Sequence, residues 1–137
     1  MQTYIFACVH NAGRSQMAAA FFNQLADPQK ARAVSAGTAP GPAVHAVVLE
    51  VMDEIGLDLS HAKPQLLTEH LVRGATLLVT MGCGENCPYV PGLRREDWPL
   101  PDPKSLPLKE VRKVRDEVRH RVLKLVSDES LQECRCR

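Results

Sequence analysis

No apolar run in this chain approaches the ~20 residues that a membrane-spanning helix requires. Met1-Gln2-Thr3 offers no basic start, and residues 4–9 are too short for the apolar core of a secretory signal. A cytoplasmic protein is therefore expected. Excess charge is missing too: 17 Lys and Arg face 16 Asp and Glu, a net of +1 with histidines neutral. The basic residues are spread along the chain and denser only towards its end, so a nucleic acid is not the expected partner. Aromatic residues are 4% of the total, which leaves few rings to frame an aromatic ligand. There is no internal repeat and no low-complexity segment. At 137 residues the chain suits one domain with a real core, expected over 1–130, followed by a flexible 131–137 tail and read as a monomer.

Cysteine is not scarce. Five occur, an odd number, and in a reducing compartment they point to thiols used chemically rather than to a disulfide scaffold. One follows the first apolar run, Cys83 and Cys87 bracket three residues, and Cys134 and Cys136 sit near the end.

Periodicity predicts alternating strands and helices. Residues 3–8 read as a short buried strand. Met17, Ala18, Phe21, Phe22 and Leu25 mark a helix face after a Ser15 cap, ending at Asp27-Pro28. A second strand is expected over 33–35. Val44, Val47, Val48, Val51, Met52 and Ile55 form the clearest helical stripe, with Gly56 placed to terminate it. A short helix over 68–72, a buried strand over 75–80 and a fourth strand over 95–98 follow. Six of the ten prolines fall between 81 and 107, in an irregular stretch. Val111, Val114, Val118, Val122 and Leu125 line a last helix whose charged face, from Lys109 to Lys124, reads as solvated. This order implies βαβ units, a parallel sheet, and a ligand site at the carboxyl ends of its strands.

Cys8-Val9-His10-Asn11-Ala12-Gly13-Arg14-Ser15 lies at such an end. Successive backbone N–H groups make an anion nest, and a following helix adds positive charge at its N-terminus. Arg14, separated from Cys8 by five residues, can fork onto two oxygens of a tetrahedral oxyanion. Cys8 should ionise readily there and act as nucleophile. Gly13 is expected to adopt a conformation other residues avoid, and His10 to face outward. The oxyanion-binding segment is thus Val9, His10, Asn11, Ala12, Gly13 and Arg14. Cys83 and Cys87, in a Gly-rich loop after the third strand, allow a local disulfide, inert thiols, or half of a metal site completed by Cys134 and Cys136. A redox relay is favoured, because both loops lie at the same edge of the sheet.

The loop from Cys8 to Ala18, with Ser35-Ala36-Gly37-Thr38, the Cys83–Cys87 region and Asp102-Pro103, resembles the low-molecular-weight protein tyrosine phosphatase superfamily. Its His10-to-Ala18 portion is most similar to the arsenate reductase branch. The resemblance implies an α/β fold, a four-stranded parallel sheet flanked by helices on both faces. It implies that Ser15 donates to the Cys8 thiolate, Asn11 braces the loop, and Asp102 is the general acid. It also implies conversion of arsenate to arsenite for detoxification: Cys8 attacks arsenic, Cys83 attacks Cys8, and Cys87 closes a Cys83–Cys87 disulfide. No cofactor is tightly bound and no metal is expected. The reductant would be external: thioredoxin, or glutaredoxin or mycoredoxin with a low-molecular-weight thiol. Ala19 stands where some relatives carry a glutamate associated with a monovalent cation.

Two other readings use the same residues differently. A phosphatase acting on phosphomonoesters through a Cys8 phosphocysteine needs Cys8, Arg14 and Asp102 but neither later cysteine. Lys104-Ser105 after Asp102-Pro103, where the phosphatases usually carry aromatics, argues against a phosphotyrosine pocket. A non-catalytic thiol protein binding arsenite or zinc through Cys83, Cys87, Cys134 and Cys136 leaves Arg14 and the anion loop without a purpose.

Overall fold

The computed structural model describes residues 1–82 and 90–132. Cys83, Cys87, Cys134 and Cys136 lie outside the described residues. Four strands, β1 (Gln2–Cys8), β2 (Ala31–Gly37), β3 (Leu77–Thr80) and β4 (Arg94–Asp97), form one sheet in the order β2-β1-β3-β4. All three pairings are parallel, with Cys8 opposite Gly37 and Ala7 opposite both Ala36 and Thr80. The helices are α1 (Arg14–Leu25), α2 (Ala46–Asp53), α3 (Glu69–Arg73) and α4 (Leu108–Asp128), with a 3-10 turn at Pro103–Ser105. None of them is long and apolar enough to cross a membrane.

Alternation along β1 builds the two layers. Tyr4, Phe6 and Cys8 join a large core with α1, α2 and α4, whereas Ile5 and Ala7 turn to the other face, against Leu67 and Val72. Helices thus flank both faces, but unevenly, since among the described residues α3 is the one helix on the second. The sheet's aromatic chemistry is spent inside. Phe6 packs on Phe22 and Trp98 with ring centroids 5.9 and 5.6 Å apart, and Tyr4 on Phe22 at 4.8 Å. Each of the five aromatics among the described residues (Tyr4, Phe6, Phe21, Phe22, Trp98) is buried, so none of these is left to stack on a ligand.

Most predicted elements are present, with shifted bounds. β2 extends beyond 33–35 at both ends because its pairing with β1 runs over seven residues. α3 starts one residue late, since Thr68 caps it, its hydroxyl accepting the Leu71 N–H at 3.1 Å. Gly56, at φ +82°, closes α2 as expected, with the Leu57 N–H donating to the Met52 carbonyl and the Gly56 N–H to that of Asp53. Two expectations fail. Ile55 leaves the stripe and is 40% exposed, because it falls in the turn after α2 rather than on its inner face. Arg115 leaves the solvated face of α4. It is buried, and its guanidinium donates to the Val51 carbonyl and to Glu54, tying α4 to α2. Leu131 is also buried, and its carbonyl accepts the Asp27 N–H at 2.7 Å.

Candidate active site

The strand order turns at β1: α1 carries the chain to β2 on one side, and the later strands add on the other. Ligands in open parallel sheets sit outside the carboxyl ends at such a point. Cys8 ends β1 there, and Gly82 follows β3. The loop between Cys8 and α1 has its carbonyls turned into the protein. Those of Cys8, Val9, His10 and Ala12 accept the N–H groups of Thr38, Ala39, Gly41 and His45 at 2.8–3.3 Å, and that of Gly13 accepts the Met17 N–H. The Asn11 carbonyl accepts from the Gln16 side chain at 3.0 Å. Among the described residues, no acceptor takes the N–H groups of Val9 through Arg14. A loop so wired presents its donors to one side, which is what an anion nest requires.

Asn11 is the hinge of this arrangement. It is fully buried and adopts φ +51°, a left-handed conformation that Asn tolerates better than most residues. Its Oδ1 accepts the backbone N–H of Gln65 at 2.9 Å. A backbone N–H can only donate, so that oxygen is fixed and Nδ2 faces Ser15, donating to its Oγ at 2.7 Å. The Ser15 proton is then free for the Cys8 sulfur, 2.9 Å away. A hydroxyl donating to sulfur stabilises negative charge on it. The Gln16 carboxamide adds bonds to Asn11 O and Oδ1 and reaches the Lys63 carbonyl at 3.4 Å.

One expectation about this loop is corrected. Ser15 does not cap α1, which begins at Arg14 after Gly13 with no side-chain cap, because its hydroxyl is engaged by Asn11 and Cys8. Gly13, at φ −146° and ψ −90°, lies outside the backbone regions that other residues favour, as expected, while the left-handed conformation in the loop falls on Asn11. Gly13 also answers a steric demand: a Cβ there would lie 2.9 Å from the Pro103 ring. The missing side chain lets the Asp102-Pro103 turn approach the anion loop.

Arg14 is buried to 8% exposure, with Nη1 donating to the Leu100 carbonyl at 2.9 Å and Nη2 lying 3.8 Å from Asp102. The Asp102 carboxylate also accepts the Lys104 N–H at 3.0 Å, starting the 3-10 turn, and its side chain remains 44% exposed. From the other side comes Gly82, where a Cβ would lie 2.7 Å from Arg14 Nη1. The structure thus brings Cys8, Asn11, Arg14, Ser15 and Asp102 to one place. His10 faces outward, its Nδ1 on the Ala39 carbonyl at 3.0 Å. Gln16, Gln65 and the Leu100 carbonyl take part without having been singled out in the sequence. Nothing in residue type or spacing marks a backbone amide 54 positions away as the partner of Asn11.

Comparison with known proteins agrees with this geometry. The curated putative arsenate reductase of Halobacterium salinarum is 34% identical over 127 residues, 90% of this chain and 89% of that protein. The arsenate reductase of Staphylococcus aureus is 32% identical over 123 residues, covering 86% and 91%. Among solved structures, a thioredoxin-dependent arsenate reductase of Corynebacterium glutamicum superposes with a TM-score of 0.82 at 35% identity. That match covers 96% of this chain, which spans 63% of the solved one. An arsenate reductase in its oxidized state matches equally well, at 0.82 and 31% identity, covering 93% and 98%. The family model for low molecular weight phosphotyrosine protein phosphatases matches residues 3–135. With an anion nest closing on a buried cysteine and arginine, and a match running almost end to end, the chain belongs to the low molecular weight phosphotyrosine protein phosphatase family.

Proposed function

We propose that this protein reduces arsenate to arsenite, with Cys8 as nucleophile and a Cys83/Cys87 relay that an external thiol reductant restores. The observation that carries it is the wired loop, in which the Ser15 hydroxyl points its proton at a buried cysteine sulfur inside an anion nest that Arg14 closes. Arsenate and phosphate share shape and charge, so the nest alone does not choose between them. The named relatives and the two cysteines after β3 favour reduction.

Arsenate sits against the N–H groups of Val9 through Arg14, its oxygens forked by the Arg14 guanidinium. The Cys8 thiolate attacks arsenic, forming a sulfur–arsenic bond as an oxygen leaves as water, protonated by Asp102. Cys83 attacks the Cys8 sulfur. The sulfur–arsenic bond breaks and its electron pair stays on arsenic, which falls from the pentavalent to the trivalent state. Two thiols have then been oxidised to the Cys8–Cys83 disulfide. Cys87 attacks Cys83, freeing Cys8 and leaving a Cys83–Cys87 disulfide. A thioredoxin-like dithiol reduces that bond by exchange. Glutaredoxin or mycoredoxin, with a low-molecular-weight thiol, would do the same chemistry.

The test is a coupled assay of reduced protein, arsenate, thioredoxin, thioredoxin reductase and NADPH. Arsenate-dependent NADPH loss is expected, and it vanishes in Cys83→Ser. Cys87→Ser is expected to release one equivalent of arsenite and stall with a Cys8–Cys83 disulfide, visible by peptide mass spectrometry. Silence with every reductant, together with hydrolysis of aryl phosphates, would overturn the reading in favour of a phosphatase.

A further inference from the structure

Inorganic arsenate is too small to use the space that adjoins its cradle. A groove of about 370 Å³ opens beside the anion loop, lined by His10, Ala12, Gly41, Pro42, Ala43, His45 and Lys104. Its volume lies in the range of small organic ligands. His10 and Ala12 belong to both the loop and the groove. The groove wall is stapled to the loop by the Gly41 and His45 N–H groups, each 2.9 Å from the carbonyls of His10 and Ala12, and by the His10 ring on the Ala39 carbonyl. Its far side is set by the 3-10 turn, with Lys104 tied to Asp102 and Pro103 seated over Gly13. The site is therefore built in advance rather than assembled around a ligand.

Its chemistry has one sign. Three side chains able to carry positive charge line it, with no carboxylate among them. No described aromatic is left to cover a ring there. We propose that this groove binds a carboxylate borne on a small organic molecule whose own oxyanion occupies the Cys8 loop, so that the site accepts bifunctional organic anions as well as arsenate. The proposal rests on the loop being an oxyanion site and adds a second anchor, Lys104 with His45, to it. Burial holds His45 below the ordinary histidine value, opposed by Asp102 and reinforced by Lys104 and His10. A bound carboxylate would act on it as Asp102 does, favouring the protonated ring.

The experiment measures protection of Cys8 from iodoacetamide, quantified on the Cys8 peptide by mass spectrometry, in the full reduced chain. Methylphosphonate and ethylphosphonate probe the loop alone; phosphonoacetate and 3-phosphonopropionate add a carboxylate. At least one carboxylated probe is expected to half-protect at a concentration roughly tenfold lower than its alkyl counterpart, the worth of one charge-assisted hydrogen bond. In Lys104→Gln, and separately in His45→Gln, that ratio shrinks while alkylphosphonate protection holds. Equal protection by both kinds of probe, or a ratio unmoved by either substitution, overturns the groove and leaves the oxyanion loop standing. If no phosphonate protects Cys8, the loop reading itself fails.

Discussion

At the scale of residues, the Cys8 sulfur sits at the end of a hydrogen-bonded chain that begins outside the anion loop. Asn11 fixes Ser15, and Gln65 fixes Asn11, through bonds of 2.7 and 2.9 Å. Asn11→Ala forfeits these bonds, leaves the Gln65 N–H unpaired and forces a left-handed alanine. A loss of roughly 2–4 kcal/mol in unfolding free energy is expected from urea titration. Asn11→Gly loses the same bonds but not the backbone comfort, so it should retain about 1 kcal/mol more. In both, Cys8 alkylation at fixed pH should slow, because the Ser15 hydroxyl is no longer held on the sulfur. If Asn11→Gly alkylates at the wild-type rate, the relay through Ser15 is wrong. This also marks the reach of sequence reading. Cys8, Asn11, Arg14 and Ser15 were legible because they share one contiguous loop whose geometry follows from a strand, a nest and a helix start. Gln65 and the Leu100 carbonyl were not, because they act through backbone atoms, which carry no signature of residue type.

At the scale of elements, α2 and α4 are joined by ion pairs rather than by apolar contact alone. Glu54 accepts from Arg112 through both carboxylate oxygens and from the buried Arg115. The Arg112 hydrogen bond, with a smaller one from Arg115, holds the Glu54 carboxyl below its usual range. A carboxyl lowered in the folded state contributes stability that is present above the ordinary carboxylate pKa and is lost as pH falls through the lowered value. The urea midpoint should therefore decline on acidification from neutral pH through the carboxylate range, and the decline should be shallower in Arg112→Gln. An unchanged acid slope would mean that the pair contributes nothing. The helices were readable from their valine stripes. β4 was far less so, for Arg94-Arg95-Glu96-Asp97 is exposed along its whole length and shows no alternation of apolar and polar residues. It is a strand because β3 offers it an unpaired edge. Gly13 shows the same limit: its unusual backbone conformation was anticipated, whereas its contact with Pro103 arises only once the two segments meet.

At the scale of the whole molecule, the parallel sheet gathers Cys8, Arg14 and Asp102 at one rim, so ligand binding there is linked to global stability. An anion that binds only the folded state at a hundred times its dissociation constant adds about 2.7 kcal/mol. Inorganic phosphate, as an arsenate surrogate, should raise the thermal midpoint of the wild type and leave that of Arg14→Gln unmoved. A shift preserved in Arg14→Gln would place the anion elsewhere. The layer order was inferred from alternating elements and from Cys8 at a strand end. The unequal covering of the two faces was not, since α3 is too short for its apolar stripe to announce which face it shields.

The tie between Asn11 and Gln65, with Gly13 under Pro103 and Arg14 on Leu100, also has a chronology. The loop is synthesised before the chain that braces it, since Gln65 lies 54 residues after Asn11. Even β1 waits for its second neighbour until β3 has been synthesised. During translation the thiol of Cys8 is thus present long before the nest around it. A nascent chain stalled ahead of Gln65 would hold Cys8 without the backbone donor that fixes Asn11. The anion loop is thus braced only by segments that are made after it.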